Sequence, residues 1–207
     1  PGTERLVLDS VTLDLPAGRV VVLVGQNGAG KSTLVKLLAR LYEPVSGRIL
    51  DDGRPLSRIR IDEWRARLGG AFQDFVRLEL PARQSVGLGD VPREADEQAV
   101  RAAVERGGAR DVVERLPAGL ETQLGPAWPG GVDVSFGQWQ KLALARGFMR
   151  DAPIVTVLDE PTAALDVETE HALFERYAAS SRGPAAAGRI TILVSHRFST
   201  VRMADQI

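Results

Sequence analysis

The chain contains no cysteine in its 207 residues, which excludes disulfide staples and thiolate metal centres and fits a reducing compartment. Aromatic residues make up only 5%, and residues 1–24 hold no Phe, Tyr or Trp. Neither sign of charge dominates: the net charge of -1 gives no electrostatic case for a nucleic-acid partner, which usually shows as a basic domain or stripe. No apolar run approaches the length needed to span a bilayer, and nothing at the start resembles a signal peptide, so the chain as given is expected to be soluble. What is present is globular in composition, 44% hydrophobic and 26% charged, with a length that fits one domain carrying a lobe or insertion. Both ends look cut. The chain opens at Pro1-Gly2 shortly before a strand-like stretch and stops at Asp205-Gln206-Ile207, where another strand is due, so an excised domain is expected.

The most informative stretch is Gly25-Gln26-Asn27-Gly28-Ala29-Gly30-Lys31-Ser32-Thr33, which fits the phosphate-binding pattern G-x-x-x-x-G-K-[ST]. Before it, Arg19 to Val24 is an apolar β-branched run of the kind that forms a buried parallel strand. After it, Ser32 to Tyr42 reads as a helix with Leu34, Leu37, Leu38 and Leu41 on one face. Gly25, Gly28 and Gly30 permit backbone angles and close approaches that a Cβ forbids, so successive N–H groups can converge on phosphate oxygens at the positive end of a helix dipole. Lys31 supplies a point charge for the β and γ phosphates, and Ser32 a hydroxyl for Mg2+, a hard cation that prefers oxygen ligands.

The remaining order of elements reads as α/β. Leu6/Leu8 and Val11/Leu13/Leu15 alternate within Arg5 to Leu15 and suggest an antiparallel pair ahead of the first buried strand. Arg48 to Gly53 reads as a strand entering a turn, and Leu68 to Phe72 as a short strand leading to Gln73. From about Leu80 to Asp151 the chain turns helix-forming, with Glu94 to Arg106 and Ala109 to Leu116 as candidate helices. A turn-rich stretch, Gly125 to Gly131, precedes a further helix that Ser135 caps and that runs to Arg150, with Leu142, Ala145 and Met149 facing inward. Ile154 to Leu158 is a second fully apolar strand, ending at Asp159-Glu160-Pro161. Asp166 to Ser181 reads as a helix, Arg182 to Gly188 as a loop, and Ile190 to Val194 as a third buried strand ending at Ser195-His196. Three strands thus deliver polar groups at their carboxyl ends, where sites in such sheets sit.

Adjacent carboxylates at the end of a buried strand are costly unless they act on something, because burial and mutual repulsion both raise their pKa values. Asp159 can be held by Mg2+ through water, leaving Glu160 to orient or deprotonate an attacking water. With these motifs in hand, the chain resembles the nucleotide-binding domain of ABC transporters of the exporter type. The resemblance rests on the Walker A loop Gly25 to Thr33, a Q-loop glutamine at Gln73, a signature at Val134-Ser135-Phe136-Gly137-Gln138, Walker B at Ile154 to Glu160, a D-loop at Ala164-Leu165-Asp166 and a switch histidine at His196.

What the resemblance implies is a P-loop NTPase core with a mostly parallel sheet, N-terminal antiparallel β strands and an inserted helical subdomain. The core is then 1–79 and 152–207, and the subdomain 80–151, within one truncated domain. It implies ATP and Mg2+ as bound groups: Gln26, Asn27, Gly28, Ala29, Gly30, Lys31, Ser32 and Thr33 on the phosphates; Ser32, Gln73 and Asp159 toward the metal; and Glu160, His196, Lys31 and Gln73 in hydrolysis. It further implies a second nucleotide-binding domain, identical or not, whose Ser135, Gly137 and Gln138 close over the γ-phosphate, with Asp166 coupling the two sites. The implied setting is the cytoplasmic face of the plasma (inner) membrane beside a transmembrane domain, powering export, with no nucleic acid. The alternative is a soluble ABC-type ATPase linked to nucleic-acid or translation machinery, against which the near-zero charge and the lack of a coiled-coil insertion weigh. Three departures stand out. Phe136 occupies a place where the signature usually has glycine and must point away from nucleotide; the aromatic that stacks on adenine is expected upstream of Pro1; and Pro126 replaces the usual glutamate in a lengthened turn, so contact with the membrane domain is expected to differ.

Overall fold

The computed structural model describes residues 6–72, 74–160, 188–195 and 201–207. Along the chain, β1 (Val20–Leu23) leads to α1 (Lys31–Leu38), the short strands β2 (Leu50–Asp51) and β3 (Arg54–Pro55), α2 (Ile61–Ala66) and β4 (Leu68–Ala71). Then α3 (Ala82–Gly87), α4 (Glu97–Arg106), α5 (Arg110–Arg115) and α6 (Phe136–Gly147) precede β5 (Val155–Asp159) and β6 (Ile190–Val194). The strands β1, β6, β5 and β4 form one sheet in that order, with every pairing parallel. Because both faces of that sheet are covered, its strands carry apolar residues toward both sides, which is why they read as mostly apolar runs rather than alternations.

The two faces separate at a period of two. Val20, Val22, Leu158 and Leu193 pack with Leu144 and Phe148 on one side. Val155, Val157, Ile192 and Val194 pack with Val35 of α1 and Trp64 of α2 on the other. A third apolar cluster lies among the helices between β4 and β5, where Val86, Val100, Val104, Val112 and Met149 surround a Trp139 that is only 2% exposed. Helix α6 serves two of these cores: Trp139, Leu142 and Ala145 face the helical cluster, and Leu144 faces the sheet. The inward positions expected at Leu142, Ala145 and Met149 are all fully buried.

Two expectations are corrected. Residues 6–15 form no strand; the antiparallel pair is instead β2 with β3, joined through Asp52 and Gly53 at positive φ of 45° and 78°, the backbone a two-residue hairpin needs. Leu6, Val11 and Leu13 stay 59%, 54% and 41% exposed. Alternation fixes which residues share a face, but it makes no strand without a neighbouring edge to pair with. The first helix also ends early, at Leu38 rather than Tyr42, and its buried position is Val35, with Leu41 exposed. Arg40 adopts φ 51°, its N–H bonds to Leu37 O, and Leu41 N bonds to Lys36 O, a left-handed helix stop built on arginine where glycine is usual. The Arg40 guanidinium donates to Ile59 O at 2.6 Å and pairs with Glu43, offsetting the strain of that conformation. The helix expected at Asp166–Ser181, including His171, lies outside the described residues, as does all of the Arg182–Gly188 loop except Gly188.

Helix α6 meets the sheet through glycine. A Cβ on Gly147 falls 2.1 Å from Gly70 O, and one on Gly70 falls 1.9 Å from Val157 O. Alanine is the better helix former by about 1 kcal/mol, but overpacking against backbone costs about 1–3 kcal/mol. Because the atom met is backbone and cannot move aside, the cost lies at the upper end and the contact wins, so Gly147→Ala is expected to lower the unfolding free energy by about 2 kcal/mol, read from the denaturant midpoint. Unchanged or increased stability contradicts the close approach.

Candidate active site

The parallel strands end side by side, and the loop after β1 sets the site. Gly28 and Gly30 sit at φ 83° and 92°, and Gly30 is the N-cap of α1 in the left-handed region, with no side-chain cap. The left-handed angle is what requires glycine there; a Cβ would meet Leu8 Cδ2 at 2.7 Å, a side-chain end that can move aside. Ala29 N bonds to Gln26 O at 3.1 Å, which closes the turn, and residues 25–29 are exposed. Lys31 Nζ folds back over the loop and donates to Gly25 O at 2.7 Å and Gln26 O at 3.0 Å. The result is an exposed backbone loop with a lysine across it, at the positive end of a helix whose first N–H groups have no intrahelical partners.

Under this loop lies Asp159, the last residue of β5, only 4% exposed and with its Oδ1 buried and without a hydrogen-bond partner. Burial pushes its carboxyl above the ordinary value of 3.8; a hydrogen bond from Ser32 opposes this, the Glu160 charge adds to it, and the Lys31 and Lys36 ammonium groups pull it down. A buried carboxylate oxygen with an unfilled lone pair, beside a hydroxyl, suits a hard divalent cation. Among the described residues no group of three or more His, Asp or Glu side chains assembles, so such a cation would complete its shell with water and ligand oxygens, as Mg2+ commonly does. Glu160 follows at φ 47°, a conformation unusual for a residue with a Cβ, and its N–H bonds to Val194 O at 3.0 Å. Backbone strain of this kind persists only where the surroundings enforce it, and it gathers at functional sites.

The second element is the amino end of α6. Ser135 caps it in a reciprocal capping box: Gln138 N donates to Ser135 Oγ at 3.3 Å, and Ser135 N to Gln138 Oε1 at 2.7 Å. Phe136, half exposed, lies against Phe75 with ring centroids 5.3 Å apart, and the Arg77 guanidinium sits 5.4 Å from its centroid. The structure thus brings Lys31, Ser32 and Asp159 together, whereas Ser135 and Gln138 cap each other. Gln73, Asp166 and His196 lie outside the described residues. Sequence reasoning did not single out Phe75, Arg77 or Arg146, whose guanidinium donates to Ser85 O and Val76 O. No spacing marks them; the aromatic at position 136 was the only available signal. Of the tryptophans, Trp64 and Trp139 are core residues, the former donating its indole N–H to Leu38 O at 2.7 Å, while Trp128 is 53% exposed.

Comparison with known proteins bears on this arrangement. A family model described as ABC transporter matches residues 8–163. The ATP-dependent lipid A-core flippase of Ralstonia nicotianae is 40% identical over 98% of this chain, and its counterpart from Dechloromonas aromatica 39% identical over the whole chain. The chain spans about a third of the length of these relatives, 33% and 34%. Among solved structures, a bacterial Atm1-family ABC exporter with ATP bound superposes with a TM-score of 0.84 at 34% identity, covering 98% of this chain and 33% of that one.

The electrostatics of Asp159 carry a pH signature. Its pKa is raised on folding, so the carboxyl favours the folded state at low pH and turns against it as pH climbs through the raised value. Asp159→Asn is therefore expected to increase stability at pH 7 in chelator-treated protein, with the gain shrinking as pH falls toward 3.8. Denaturant melts across that range check it; a loss at pH 7, or a gain independent of pH, contradicts the burial argument.

Proposed function

Because the chain belongs to the ABC transporter family, we propose that it is the ATP-binding and ATP-hydrolysing domain of an exporter, with a P-loop core and an inserted helical subdomain. The observation that carries this reading is the convergence of Lys31, Ser32 and the orphaned Asp159 oxygen beneath the exposed glycine loop. In it, the amides of Gln26 to Thr33 take the phosphate oxygens, and Lys31 exchanges its two loop carbonyls for the β and γ phosphates. Ser32, Asp159 and Gln73 hold Mg2+, which supplies charge to the developing phosphate oxygens when bound. Glu160 orients a water and accepts its proton as the water oxygen bonds to the γ-phosphorus; the bond to the bridging oxygen breaks, and ADP and inorganic phosphate leave. His196 contacts the γ-phosphate. Ser135, Gly137 and Gln138 of a second domain, the same or a related one, close the far side, and Asp166 links the two sites.

Among the described residues no helix is long and apolar enough to cross a membrane, so the reading assigns that task to a transmembrane domain, with this domain on the cytoplasmic face of the plasma (inner) membrane. The nucleic-acid-linked alternative is not favoured, since the relatives and the solved neighbour are named as flippases and an exporter.

Substitution tests the assignment. Lys31→Ala is expected to abolish productive ATP binding, and Glu160→Gln to bind ATP while hydrolysis falls about 100-fold or more. Mixing Ser135→Ala with Glu160→Gln protein then shows by phosphate release whether the signature acts across an interface. Glu160→Gln protein that hydrolyses at the parental rate removes Glu160 from its role.

A further inference from the structure

The first residue of α6 is an exposed aromatic in a position with no core to fill. Phe136 is 50% exposed, yet two groups from one short segment grip it: the Phe75 ring at 5.3 Å, tilted by 43°, and the Arg77 guanidinium at 5.4 Å from the ring centroid. Both geometries are those of favourable ring pairing and of a cation on an aromatic face. Between them, the carbonyl of Val76 accepts two hydrogen bonds at 3.1 Å from Arg146, a residue near the other end of the same helix. Phe75 also packs on the helical apolar cluster. Residues 75–77 are therefore fastened to α6 near both of its ends, about 15 Å apart along the axis. Phe75 thus reaches the helical cluster ahead of α3, which starts at Ala82.

We propose that Phe136 is a positioning residue: clasped by Phe75 and Arg77, it ties the segment that follows Gln73 to the amino end of α6 and so fixes where Ser135 stands. The proposal rests on the reading above, in which Ser135 completes the site of a second copy. A side chain at position 136 has no place beside a phosphate, and the clasp engages the ring while Ser135 next to it stays exposed. The clasp is also a mechanical link. A displacement that reaches residues 75–77 is transmitted to Ser135 by ring contact and by Arg146 at once, without bending α6. Removing the ring breaks the tie at the amino end while Arg146 still holds the segment at the far end, and the capped amino end loses its register with the segment.

The test is steady-state ATP hydrolysis by the complete polypeptide that carries this chain, reconstituted in lipid nanodiscs. Phe136→Leu is expected to lower kcat about fivefold with KM for ATP changed less than about twofold, and Phe136→Tyr, which keeps the ring, to restore kcat to within about twofold of the parent. Phe75→Leu, which leaves the Arg77 contact in place, is expected to lower kcat about twofold, and the double variant to be no worse than Phe136→Leu, since Phe136→Leu already removes the contact the two rings share. Parental kcat in Phe136→Leu, failure of Phe136→Tyr to restore it, or losses that multiply in the double variant would overturn the clasp. Should Phe136→Leu fail to fold, Arg77→Gln decides the same question: a kcat about twofold to threefold lower supports the clasp and an unchanged kcat overturns it. The two readings fail separately. Hydrolysis that survives Lys31→Ala defeats the assignment of the P-loop, whereas hydrolysis lost in Lys31→Ala but untouched in Phe136→Leu defeats the clasp alone.

Discussion

A carboxylate buried at the end of β5, one oxygen of which has no hydrogen-bond partner, is the constraint on which this structure turns. Such a group costs free energy in the folded protein, because burial disfavours its charge and no donor repays the lost hydration of Oδ1. The surroundings mitigate without cancelling: Ser32 hydrogen-bonds to the carboxylate, and Lys31 and Lys36 lend positive charge. β5 can carry the load because it runs inside the sheet, paired on both sides by β4 and β6 and packed on both faces. The strained backbone of Glu160 directly after it, pinned by Val194 O, belongs to the same arrangement. A fold selected for stability alone would place an apolar or fully hydrogen-bonded residue at this strand end.

The second half of the design is α6, which joins the helical cluster to the sheet. Its position is set by contacts that leave no room for a side chain: Gly147 against Gly70 O, Gly107 against Ala145, and Gly89 against Arg146 O. Backbone touching backbone at several points fixes a helix more tightly than interlocking side chains, which can change rotamer. The capping box at Ser135 and Gln138 then holds the first turn. The two chemically suggestive elements, the glycine loop and the capped helix, are thus rigid presentations from one framework.

Much of this was legible in the residues, and the parts that were not fail for identifiable reasons. The strand-loop-helix unit announced itself, since an apolar run, a glycine pattern and Lys31 have little other reason to occur together. The buried strands β5 and β6 and the cap at Ser135 followed from mostly apolar runs and cap chemistry. The stop after α1 was hidden because Arg40, not glycine, takes the left-handed position, and only its bonds to Ile59 and Glu43 explain how. The alternation in residues 6–15 suggested strands, yet those residues pair with no edge in the structure. The grip on Phe136 was invisible, because Phe75, Arg77 and Arg146 are brought to it by the path of the chain, not by spacing.

The central claim is that the orphaned oxygen of Asp159 exists to serve a divalent cation carried by a triphosphate. Isothermal titration of a non-hydrolysable ATP analogue into parent and Asp159→Asn protein, each with Mg2+ and with chelator, tests it most directly. If Asp159 has that role, Mg2+ tightens binding to the parent by about tenfold or more and this advantage disappears in Asp159→Asn, while the chelator values stay alike. An equal Mg2+ advantage in both proteins, or no binding of the analogue to the parent, would contradict it.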